Sequence, residues 1–144
     1  MWRELIQRFA PEATFCPAAT AAQIAEVEAA LEVALPDDLK SLLAESNGVV
    51  GDYGFPLIWS TNEIQERNKE MRLTPHFRTM YMLFDSLLFF AAAGNGDLFA
   101  FRMLQGGTGS QDIFAWDHED DSRTSAAPSL RDYIIGWLTG KLHV

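Results

Sequence analysis

Three groups of residues in this 144-residue chain have types and spacings that chemistry could use. The first is Gly94-Asn95-Gly96-Asp97, set between apolar runs in LFFAAAGNGDLFAF, residues 88–101. A dinucleotide loop needs Gly-x-Gly-x-x-Gly opening a helix, but counting from Gly94 the last required glycine is Phe99. A Walker loop needs Gly-Lys followed by Ser or Thr, which is absent here. A hairpin turn needs only residues that tolerate positive φ, and Asn95-Gly96 is a strong pair of that kind. The expectation is therefore a structural turn between two strands.

The second group is Asp117-His118-Glu119-Asp120-Asp121. Clustered carboxylates suit hard cations, yet the EF-hand spacing fails: counting from Asp117, Ser122 stands where glycine is needed and Pro128 where the bidentate glutamate is needed. A solvated acidic loop is expected, with no metal site. The third group is Cys16 with His76, His118 and His143. Nucleophilic catalysis needs a base beside the nucleophile, and no histidine here falls in a catalytic motif. Asp117 and Glu119 alone do not make a glycosidase pair, because no other residue type supports that site. No catalytic residue and no cofactor are expected, and the chain reads as a non-enzyme.

Twenty acidic against eleven basic residues give a formal charge of -9, which repels phosphate backbones and anionic lipid. Nucleic acid and membrane are poor partners on that ground. Acidity also keeps proteins dispersed, so charge alone does not separate solubility from recognition. A single cysteine allows no intrachain disulfide and suits a reducing, cytoplasmic setting. The opening MWRELIQRFAPEA interrupts each short apolar pair with charge and lacks the run of a signal peptide or a membrane span.

The elements that must position these groups follow from caps and periodicity. Thr20 with Gln23 fits a capping box, and Ile24, Val27 and Leu31 continue it as an amphipathic helix over about 20–33. LPDDLKSLLAESNG predicts a second helix, opened at Pro36 and stopped at Asn47-Gly48. VVGDYGFPLIW reads as a glycine-broken loop entering a strand that ends at Trp59, and Ser60 with Glu63 caps a helix running to about Met71. Residues 72–84 are mixed and lead into a strand near residue 83. After the hairpin, QDIFAWD alternates as a strand between two packed surfaces, HEDDSRTSAAPS reads as loop, and Ser129 with Asp132 caps a last helix stopped at Gly140. The predicted core is Leu39, Leu42, Leu43, Trp59, Phe99, Phe101, Trp116, Ile134 and Trp137. This order predicts a single α+β domain over residues 1–144.

In this order, IAEVEAALEVALPDDLKSLLAESNG (24–48), LIWSTNEIQERN (57–68), the Gly-Asp hairpin and IFAWDHED (113–120) resemble the SUKH superfamily. That superfamily includes fungal Smi/Knr-type regulators of cell-wall synthesis and many bacterial immunity proteins. The resemblance implies an α+β fold with a mixed or antiparallel sheet flanked by helices, and no enzymatic activity. It implies a protein partner: a cognate polymorphic or contact-dependent toxin, often a nuclease, or a cellular partner of the regulatory kind. A nuclease presents a cationic groove, which an acidic inhibitor can approach by electrostatic steering. The expected partner surface joins Asp97 to Asp117, Glu119, Asp120 and Asp121, with Tyr53 and Phe55 as aromatic anchors. Those four loop acids are expected to be solvated and of little consequence for folding.

Overall fold

The computed structural model describes residues 1–51, 54–74, 84, 86–103 and 109–142. Helix α1, Trp2–Phe9, buries Trp2, Leu5 and Ile6 at the spacing of one helical face. The sequence did not mark this helix because its cap is remote. The Trp2 and Arg3 amides donate to the Glu45 carboxylate, 43 and 42 residues away. Helix α2, Ala21–Leu31, opens on the expected capping box, with the Gln23 amide donating to Thr20 Oγ1 and the Thr20 amide to Gln23 Oε1. Helix α3, Asp37–Leu43, follows Pro36 as expected but ends ahead of Asn47-Gly48.

That pair has another use. Gly48 has φ +94 and passes so near the next segment that a Cβ there would lie 3.0 Å from the Ser60 nitrogen. The Asn47 side chain accepts from the Thr61 amide at 2.8 Å and donates to Thr61 Oγ1 at 3.2 Å, which satisfies the start of helix α4, Thr61–Leu73. Ser60 and Glu63 form the capping box the sequence predicts.

Strands β1 (Thr14–Phe15), β2 (Val49–Val50) and β3 (Pro56–Ile58) make one sheet in that order. Strands β4 (Leu87–Ala92), β5 (Leu98–Met103), β6 (Gly109–Trp116) and β7 (Arg123–Ala127) make a second. Every pairing among them is antiparallel. The Trp59 amide donates to the Phe90 carbonyl at 2.9 Å and ties the two sheets together. β7 corrects the reading of 118–129 as loop throughout: RTSAA shows no apolar alternation because it is the outer strand, with Thr124 and Ser125 exposed. The strand expected near residue 83 lies outside the described residues.

Helix α4 is fixed to β4 by two polar side chains. Buried Asn68 accepts from the Phe89 amide at 2.9 Å and donates to the Phe89 and Ile64 carbonyls. It thereby completes both backbone groups of Phe89 at the irregular Phe89/Ala91 step. Arg72 donates to the Leu31 and Leu87 carbonyls and so joins α2, α4 and β4.

The closing helix α5, Leu130–Leu138, has Ser129 as its cap and buries Leu130, Tyr133 and Ile134. Of the expected core, Leu39, Leu42, Leu43, Trp59, Phe99, Phe101, Trp116 and Ile134 are buried. Trp137 is only half-buried and packs its ring edge-on against Phe99, a correction to its place in the core. Tyr133 takes the deep position instead, between Phe90 and Phe99, its hydroxyl donating to the Leu57 carbonyl. Burial there pushes the phenol pKa upward and keeps it neutral. The result is an α+β fold with antiparallel sheets and helices packed against them.

Candidate functional site

One end of the larger sheet gathers most of the residues singled out above. The β4–β5 hairpin closes with the Ala93 amide donating to the Asp97 carbonyl at 2.9 Å. Positive φ falls at Gly94 (+99) and Gly96 (+100), while Asn95 between them is not in the left-handed region. Asn95 contributes differently: its Oδ1 accepts from the Asp97 amide at 3.0 Å and its Nδ2 donates to Asp97 Oδ2 at 3.3 Å. Such local side-chain bonding stabilises a turn without requiring an unusual backbone at the asparagine.

The β5–β6 register carries the hairpin to the acidic loop. Leu98 pairs with Trp116, so continuing the ladder sets Asp97 opposite Asp117 and Gly96 opposite His118. The His118 imidazole lies over Gly96, where a Cβ would sit 2.8 to 3.0 Å from the ring. Asp97 Oδ1 lies 2.7 Å from His118 Nδ1 and accepts from the His118 amide at 3.1 Å. The Asp97 side chain is 10% exposed and that of His118 40%. Burial pushes the Asp97 carboxyl upward, but the bonds and charge of His118, with the Asn95 bond, outweigh it and hold the group below its ordinary value. The bond to Asp97 raises the His118 pKa against a smaller opposing effect of desolvation, aided by the charges of Asp97, Glu119 and Asp117.

The four loop acids divide by role. Asp117 Oδ1 accepts from the Glu119 amide and Asp120 Oδ1 from the Ser122 amide, bonds that shape the loop. The Ser122 bonds also hold the Asp120 carboxyl below its ordinary range. Asp121, at φ +60, accepts from Trp116 Nε1 at 2.7 Å and from Arg123 Nη2 at 3.2 Å. Arg123 in turn lies over the Phe84 ring, 5.1 Å from its centroid. The side chains of Asp121 and Arg123 are each only 14% exposed, so Asp121 is not the solvated charge expected of it. Glu119 and Asp120 are the exposed acids of the group.

Phe55 reaches the same end from the smaller sheet. Its half-buried ring packs on Gly94, where a Cβ would come within 3.1 Å of it. Tyr53 lies outside the described residues, as do His76 and His143. Phe55, Asp97 and the four loop acids are thus brought to one end, with Asp97 and Asp121 turned inward. His118 and Asn95 were missed as members of this cluster. Register alone could have disclosed His118, and register is not a local property of the sequence.

Asp97, Asp117 and His118 offer ligand atoms within 4.8 Å of one another, and these are the residues that could hold a cation. Asp97 and His118 already satisfy each other there. No helix among the described residues is long and apolar enough to cross a membrane. A SUKH family model described as SMI1-KNR4 cell-wall matches residues 21–134, a span that contains the hairpin, the acidic loop and Phe55. No curated protein matches the chain significantly.

Proposed function

The chain belongs to the SMI1-KNR4 cell-wall family of SUKH domains, and from that premise we propose that it is a non-enzymatic binding protein that neutralises a cognate toxin. The family includes immunity proteins and cell-wall regulators, and it suggests a protein partner. The observation that carries the immunity reading is the acidic end itself, where Glu119 and Asp120 stand exposed beside the hairpin and Phe55 packs on Gly94. A charged rim around an aromatic group suits a cationic protein surface: the charges steer approach and the apolar ring supplies contact. Asp97 and Asp121 belong to this surface as the residues that hold its shape. The partner is a cationic toxin domain, a nuclease being the chemistry that best fits a formal charge of -9, and neutralisation takes place in the cytoplasm.

The experiment is co-expression with the toxin domain encoded beside its gene. Immunity predicts that cells survive the toxin when this chain is present and die when it is absent. The family's own description favours a second reading, a regulatory interaction domain. That reading predicts no rescue from any neighbouring toxin, and a failed rescue would favour it.

A further inference from the structure

The chain contains two Asn-Gly pairs, Asn47-Gly48 and Asn95-Gly96, and folding leaves them different in exposure and in the bonding of the glycine amide. Such a pair is open to internal attack on the side-chain amide, because a following residue without a Cβ leaves its backbone nitrogen unhindered. At Asn47 both reacting groups are engaged. The carboxamide is bonded at both ends to Thr61, the Gly48 amide donates to the Ser46 carbonyl at 2.8 Å, and Gly48 is wedged against the Ser60 backbone.

At the hairpin tip the Asn95 carboxamide is likewise bonded at both ends, to Asp97, and His118 lies over Gly96, but the attacking glycine amide is not engaged. Residues 94–96 are exposed, and nothing among the described residues accepts a hydrogen bond from the Gly96 amide. The Asp97 amide donates to Asn95 Oδ1 at 3.0 Å. That donor is aimed at the oxygen on which negative charge develops when the carboxamide carbon is attacked.

We propose that Asn95 is a site of spontaneous deamidation in the folded protein, while Asn47 is protected by the fold. The Gly96 nitrogen bonds to Asn95 Cγ and gives up its proton. The carboxamide C–N bond breaks, and its nitrogen leaves with that proton as ammonia. Water then opens the cyclic imide at one carbonyl or the other, giving aspartate or isoaspartate at position 95. One water is consumed, one ammonia is released, and no oxidant or reductant takes part. The product adds a negative charge beside Asp97 and removes the Nδ2 donor that Asp97 Oδ2 accepts at 3.3 Å. This chemistry is independent of the partner reading and holds whatever the chain binds.

The test is prolonged incubation of the purified protein at mildly alkaline pH, folded and in denaturant, with peptide mapping by mass spectrometry and isoaspartate detection. In the folded protein Asn95 should convert faster than Asn47 by roughly tenfold or more, a modest difference in barrier. In denaturant the two pairs should convert at similar rates. Retention of Asn95 in the folded protein would overturn the proposal. Conversion of Asn47 at an equal rate in the folded protein would also overturn it, as would slow conversion of Asn47 in denaturant.

Discussion

At the scale of single residues, Gly96 and His118 constrain each other. Gly96 has φ +100, and any side chain there meets an imidazole anchored through its amide and ring to Asp97. Gly96→Val should destabilise the protein by about 1 to 3 kcal/mol, since a β-branched residue is strained in that region and also displaces the ring. A melting temperature equal to that of the parent would contradict the hairpin geometry. The same contact predicts a pH dependence. Asp97 is held below its usual 3.8, so its contribution is present above that value and lost as pH falls through the folded value. His118 is raised above its usual 6.5, so its contribution is full below that value and lost as pH rises through the folded value. The pair therefore contributes most between the two. His118→Gln removes the titrating ring, and its stability, followed by denaturant titration as pH rises from below 6.5 through the raised value of the ring, should vary less with pH than that of the parent. Parallel curves would count against the contact. The turn was legible because Asn-Gly is a local signal, whereas the partnership of residues 97 and 118 depends on strand register.

At the scale of elements, the sequence disclosed those that carry their own caps. Helices α2 and α4 have capping boxes in adjacent residues, and both stand where expected. Helix α1 borrows its cap from Glu45 and strand β7 has no apolar alternation, so neither announces itself locally. The junction between α4 and β4 was equally hidden, because it rests on two polar side chains, the buried amide of Asn68 and the guanidinium of Arg72. Asn68→Ala should cost about 1 to 3 kcal/mol for each Phe89 backbone group left without a partner. Hydrogen exchange at the Phe89 amide is the direct readout, and unchanged protection there would contradict the role given to Asn68. Loop acids behave by the same logic. Asp121→Asn weakens bonds to Trp116 and Arg123 in a covered position and should cost about 1 to 3 kcal/mol. Glu119→Gln with Asp120→Asn should stay within about 0.5 kcal/mol of the parent, because surface changes away from such networks do. Equal losses from the two changes would show that the acids do not divide as described.

At the scale of the whole molecule, a formal charge of -9 is distributed over a fold whose family suggests protein partners. The fold class and the family resemblance were legible from the order of motifs, since caps, turns and apolar periodicities recur in sequence. The site was legible only in part. Acidity marked the loop but could not distinguish Asp121, bonded beneath the surface, from Glu119 and Asp120 above it. That distinction supplies the most direct measurement of the central claim, that this acidic end receives a cationic partner. Association of the Glu119→Gln, Asp120→Asn protein with the proposed cationic partner, a toxin domain identified by rescue in co-expression, should be followed by stopped flow over a range of salt. Steering by unscreened charge predicts slower association than the parent at low salt and a shallower salt dependence. A rate and a salt dependence equal to those of the parent would contradict the claim and move the interface away from this end of the sheet.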